Sequence, residues 1–86
     1  MDKKFREKKL EILAELAEKY FPDTKIKKGS IIKRIRIVSK GLIASIYPNG
    51  IIDLYSEEHY KTAVEFAEEY EKIFKEKIDL DTHYGF

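Results

Sequence analysis

Arg34 and Arg36 stand two residues apart in the segment Ile31 to Val38, so an extended chain holds both guanidinium groups on one side. Forked planar donors of this kind grip phosphate or carboxylate oxygens in pairs. A hairpin running from Leu42 to Tyr55 puts Ile43, Ser45, Tyr47, Ile51, Asp53 and Tyr55 on a single side as well. Arginine interleaved with aromatic residues is a pattern that holds a nucleic-acid backbone through its phosphates while bases lie on ring faces. An apolar and aromatic patch is equally the raw material of a protein contact or a homodimer interface. Both readings start from the same residues.

Other chemistry is thinly supplied. Asp79, Asp81 and His83 alternate near the chain end and carry donors suited to a cation, but a short tail offers no outer shell to orient them, so no metal site is expected. His59 falls in the first turn of a helix and reads as a solvated side chain. There is no Cys, hence no thiolate ligand and no disulfide. No GxxxxGK[ST] loop occurs, no Ser sits in a nucleophile-elbow motif, and the carboxylates lie on the solvent sides of two helices. Neither an enzyme nor a bound cofactor is expected.

The elements that must position these residues centre on the turn Pro48-Asn49-Gly50. A two-residue Asn-Gly loop would set Ile46 opposite Asp53 and Ser45 opposite Leu54, mixing polar and apolar side chains on both faces. A three-residue loop, with Pro48 and Asn49 in a type I turn and Gly50 left-handed, pairs Tyr47 with Ile51 and Ile46 with Ile52. That register sorts Leu42, Ala44, Ile46, Ile52 and Leu54 onto a core face and leaves Ile43, Ser45, Tyr47, Ile51, Asp53 and Tyr55 on the other. Upstream, alternation over Ile31 to Val38 places Ile31, Lys33, Ile35 and Ile37 on the core side and Ile32, Arg34, Arg36 and Val38 opposite. The basic segment Thr24 to Lys28 joins this strand as a bend or forms a strand of its own, and Ser39-Lys40-Gly41 turns the chain into the hairpin.

Helices flank the strands. Leu10, Leu13, Ala14, Ala17 and Phe21 recur at helical spacing from about Lys3 to Tyr20, with the flanking lysines on the outer side, Asp2 as a weak cap and Pro22 forcing the end. Ser56 caps a second helix that runs to about Lys77, with Glu57 and Glu58 in its first turn and Tyr60, Ala63, Val64, Ala67, Tyr70 and Phe74 along its apolar stripe. The expected fold is α+β: helix, three- to four-stranded antiparallel meander, helix, with both helices on one sheet face. Residues 1–78 form the single domain and residues 79–86 a C-terminal tail, too short for an element of its own.

Composition bounds what such a domain can be. The 86 residues, 43% apolar and 13% aromatic, close one small core. No run approaches the roughly twenty apolar residues of a membrane span, and no apolar signal region follows the charged start, so a cytoplasmic protein with no membrane partner is expected. One Asn, one Met and no Gln or Cys, beside abundant Lys, Glu and Ile, resemble a thermophile's avoidance of labile side chains. The net charge of +1 conceals a segregation: every charge from Thr24 to Ile52 is positive, and from Asp53 to Glu71 acidic residues prevail.

From about Lys9 to Lys77 the order of elements, the basic segment Ile32-Lys33-Arg34-Ile35-Arg36, the hairpin end Tyr47-Pro48-Asn49-Gly50 and the acidic-capped helix resemble one half-repeat of the TATA-box-binding protein fold. The resemblance implies a curved sheet whose open face meets nucleic acid, with Tyr47 where that family has one wedging phenylalanine and Lys28 where it has the other. The strand that precedes the first helix in that family has no counterpart here, nor does the second half. The same half-repeat is similar to the N-terminal domain of some ribonucleases H. The expected function is therefore a small binding module that meets DNA or RNA through Arg34, Arg36, Ile43, Ser45, Tyr47, Ile51, Tyr55 and Lys28, two chains joining along their sheet edges as a homodimer. The alternatives are a protein-interaction or face-to-face homodimerisation module using the same face, and an accessory subunit of an enzyme.

Overall fold

The computed structural model describes residues 3–29 and 31–84, so the Asp2 cap, Ser30 and the Gly85 and Phe86 of the expected tail lie outside it. The chain folds as helix α1 (Lys3–Tyr20), strands β1 (Lys25–Lys28), β2 (Ile35–Val38), β3 (Leu42–Ile46) and β4 (Ile51–Leu54), a 3₁₀ turn (Glu57–His59), helix α2 (Tyr60–Phe74) and strand β5 (Asp79–Thr82). The strands lie side by side in chain order in one sheet. The first four form an antiparallel meander, and β5 returns through α2 to pair in parallel with β4. Ile35, Ile37, Ala44, Ile46, Ile52 and Leu54 line one sheet face. Leu10, Leu13, Ala14, Leu16 and Ala17 of α1 and Ala63, Phe66, Ala67 and Tyr70 of α2 join them in a single buried cluster, so both helices cover that same face. No helix among the described residues is long and apolar enough to cross a membrane.

Pro22 ends α1 as its ring geometry demands. The Phe21 amide still reaches the Ala17 carbonyl at 2.8 Å, and the chain then turns through Asp23 in the left-handed region (φ 64°). The central hairpin uses the three-residue loop: Ile46 pairs with Ile52, the Tyr47 amide bonds the Ile51 carbonyl at 2.9 Å, and Gly50 has φ 93°. Any side chain at Gly50 would be strained by that φ, and its Cβ would press to 3.0 Å from the Lys77 carbonyl.

Several expectations require correction. Leu42 and Ile43 exchange faces because the β2–β3 register shifts: Ile37 pairs with Ala44 but Val38 with Leu42, leaving Ile43 as an extra residue. A bulge of this kind turns two consecutive side chains to one side. Ile43 accordingly joins Ala44 in the core at 5% exposure, and Leu42 is 41% exposed. β2 starts at Ile35, with Ile31, at 93% exposure, in the preceding loop rather than in a core-facing strand.

The third correction concerns the chain end, where Asp79–Thr82 is not a tail but the fifth strand. Its amides and carbonyls complete the open edge of β4, with the Asp79 amide on the Gly50 carbonyl at 2.7 Å and the His83 amide on the Leu54 carbonyl at 2.8 Å. α2 ends at Phe74 instead of Lys77, since Lys75 takes the left-handed conformation and frees residues 76–78 to reach that edge.

The fourth is Lys9, which points inward from α1 and is 3% exposed. It continues the stripe of Leu13 and Leu16, one turn toward the start. Its ammonium bonds both carboxylate oxygens of Glu76 at 2.8 and 3.1 Å and lies 5.2 and 4.8 Å from the ring centres of Tyr70 and Phe74. The Tyr70 hydroxyl donates to the same carboxylate at 2.9 Å. Desolvation works to lower the Lys9 pKa, yet the hydrogen bonds and charge of Glu76 and Tyr70 hold it above the ordinary value. The Lys9 hydrogen bond lowers that of Glu76, against its own partial desolvation.

Candidate binding surface on the open sheet face

Helices occupy one side of the sheet, and the side chains that alternate with the core residues form the other side. The pairing aligns them in rows across the strands. One row reads Lys27, Arg36, Ser45, Asp53, Asp81, from β1 to β5. A second carries Arg34, Tyr47, Ile51 and Asp79, and a third Lys25, Val38, Leu42, Tyr55 and His83. In the first two rows cations sit toward β1 and β2 and carboxylates toward β4 and β5. The open face is electrically divided.

Six of the residues singled out from the sequence come together here. Arg34, just before β2, donates from Nη1 to the Tyr47 hydroxyl at 3.3 Å. Arg36 lies half-buried beside Ser45, and its Nε, shut off from solvent, has no hydrogen-bond partner among the described residues. Ser45 is on this face as expected but only 2% exposed, a small side chain between the longer Arg36 and Asp53 on the neighbouring strands. Ile51 is half-buried and Tyr55 is exposed. The Tyr55 ring stacks on His83, with centres 4.9 Å apart and planes at 23°. Burial, then the Asp53 carboxylate and Tyr47, raise the Tyr55 pKa against the pull of Arg34.

Two residues of the expected set are elsewhere. Ile43 belongs to the core through the bulge. Lys28 pairs with Ile35, whose side chain faces the helices, so alternation puts Lys28 on the helix side at the β1 edge, beside Glu11, Glu15 and Glu18 of α1. Lys25, Lys27, Asp79, Asp81 and His83 enter the surface in addition. The lysines were legible as a basic segment, and Asp79, Asp81 and His83 as an alternation. The pairing of β1 with β2 placed the lysines beside Arg36, and the pairing of β5 with β4, distant in sequence, brought Asp79, Asp81 and His83 to the same face.

The divided face holds little catalytic apparatus. His83 Nε2 lies 3.0 Å from Asp53 Oδ1, and among the described residues no three His, Asp or Glu side chains are grouped to hold a metal ion. At the bulged end of the sheet a shallow cleft of about 440 Å³ is lined by Asp23, Thr24, Lys40, Ser56, Glu58 and His59. Ser56 Oγ lies 2.8 Å from His59 Nδ1, and Glu58 approaches that same nitrogen at 3.8 Å. A relay needs the nucleophile and the orienting carboxylate on opposite ring nitrogens, so this is the local contact of a helix start. No family model, curated protein or solved structure matches the chain.

Proposed function

We propose that the chain is a binding module without chemistry of its own, whose open sheet face takes a protein surface of complementary charge layout. The observation that carries this reading is the division of the face. A polyanion crossing the sheet would meet Arg36 and Lys27 in one half and Asp53, Asp79 and Asp81 in the other, whereas a protein of mixed charge satisfies both. Tyr47, Ile51, Leu42 and Tyr55 supply the apolar contact area between the charges.

A second reading is nucleic-acid binding through the basic half alone, favoured by the clustering of Lys25, Lys27, Arg34 and Arg36 on two neighbouring strands beside Tyr47. It agrees with the resemblance to the TATA-box-binding half-repeat. Titration of duplex and single-stranded oligonucleotides at low and physiological salt separates the two. The protein-binding reading expects at most weak binding at low salt that vanishes as counterions compete. Saturable binding at physiological salt, abolished by Arg34→Ala with Arg36→Ala, would put the nucleic-acid reading in its place.

A further inference from the structure

The charge layout of the open face is complementary to itself, and we infer that its occupant is a second copy of this chain, stacked face to face about a two-fold axis parallel to the strands. The inference rests on the reading of the open face as a protein-binding surface and names the partner. A two-fold that stacks two sheets must lie in the plane between them, and two directions bring the strands into line. An axis across the strands would lay β1 over β1 and β5 over β5, setting lysine on lysine and aspartate on aspartate. An axis along the strands lays β1 over the partner's β5 and β2 over its β4, with β3 central on itself. Lys27 then meets Asp81 of the second copy, Arg36 meets its Asp53, and each contact occurs twice. Ser45, the smallest side chain of its row, lies nearest the axis and leaves room for sheets about 10 Å apart.

Joining by sheet edges, the alternative arrangement, is opposed by the same charges. A closed two-fold edge dimer pairs an edge with its own copy. At β1 this brings Lys25, Lys27 and Lys28 against each other, and at β5 Asp79 and Asp81. Pairing β1 with β5 satisfies charge but is head-to-tail, so it cannot close on two copies and leads on to a ring or a filament. Of these arrangements, only the face-to-face stack closes on two copies with opposite charges in register.

The footprint fixes how strong the association is. Five strands at about 4.8 Å spacing and about 15 Å in length give a flat projection on the order of 300 Å², well under the roughly 800 Å² per partner of standard stable complexes. The dimer therefore forms at high concentration and loosens with salt.

Lys27 and Asp81 test this directly, because both are exposed and stand at opposite edges of the sheet, about 19 Å apart, too far to pair within one chain. Sedimentation of the full chain over a wide concentration range is the measurement. Wild type should move from monomer to dimer, and Lys27→Glu and Asp81→Lys should each weaken dimerisation by about tenfold or more, since the axis counts every altered pair twice. An equimolar mixture of the two variants should dimerise again, because in the mixed dimer the introduced carboxylate faces the introduced ammonium and the other contact keeps its native Lys27 and Asp81. Should either variant fold poorly, the single chain carrying both changes restores the pairing and should dimerise like wild type. A wild type that stays monomeric overturns the second copy as occupant while leaving the face open to a different protein. A wild type that dimerises while both variants do so equally well shows that another surface is used, and then the reading of the open face falls with it. A mixture no better than the separate variants overturns the geometry.

Discussion

Lys9 and Glu76 form an asymmetric pair, and the asymmetry decides what each substitution does. The ammonium is 3% exposed and the carboxylate 42% exposed. Removing the carboxylate strands a cation between Tyr70 and Phe74, whereas removing the ammonium leaves a carboxylate that water can reach. Glu76→Ala should therefore destabilise by about 2 kcal/mol or more, and Lys9→Met by about 1 kcal/mol or less. The pH dependence follows from the direction of the Glu76 shift. Its folded pKa lies below the ordinary carboxylate value, so its contribution is complete above that ordinary value and is lost as pH falls through the lowered one. Denaturation midpoints measured from neutral to acid pH should show wild type converging on Glu76→Ala at the acid end; parallel curves would mean that the ion pair contributes nothing. The hint in the sequence was the place of Lys9 one turn before Leu13, within the apolar stripe, but lysines so placed commonly reach out to water. Only the carboxylate arriving from residue 76 keeps this one inside.

Elements whose form is settled locally could be read from the sequence, and those settled by a distant neighbour could not. The Pro48-Asn49-Gly50 turn fixes its own loop length through ring and glycine conformations, and the register of β3 on β4 follows from it. The bulge at Ile43 depends on β2 pairing and is invisible to simple alternation. β5 is the extreme case. Asp-Leu-Asp-Thr has one apolar residue and two of a type depleted in strands, so propensity argues against it; the unpaired edge of β4 and the reach of the segment after α2 impose the strand. Leu80 is its anchor on the helix side, partly buried against the core. Leu80→Ser should therefore release β5, lower stability by about 1 to 2 kcal/mol and speed hydrogen exchange at the Asp79 and His83 amides. Unchanged protection at those two amides would show that the backbone ladder alone holds the strand. The candidate surface shared this fate: Arg34, Arg36, Tyr47, Asp53 and Tyr55 could be grouped from local alternation, while Asp79 and Asp81 needed β5 in place.

At the scale of the whole molecule, one sheet separates two environments. Both helices close the core on one side, and the other side carries a field that changes sign from β1 to β5. Chain order becomes charge order because the strands lie in sequence, so the basic middle of the chain and its acidic end occupy opposite margins of one surface. A surface of that kind repels itself in most orientations and fits itself in one, which gives specificity without a large apolar area. The central claim, that two copies of this molecule meet through the open face and not the helical side, is tested most directly by mapping amide chemical shifts of isotope-labelled protein from dilute to concentrated solution. The account predicts concentration-dependent shifts that cluster on Lys27, Arg36, Ser45, Asp53, Tyr55 and Asp81 and leave the outer faces of the helices, at Glu11, Glu15, Glu65 and Glu68, unmoved. Shifts confined to the helices, or none at any concentration, would contradict it.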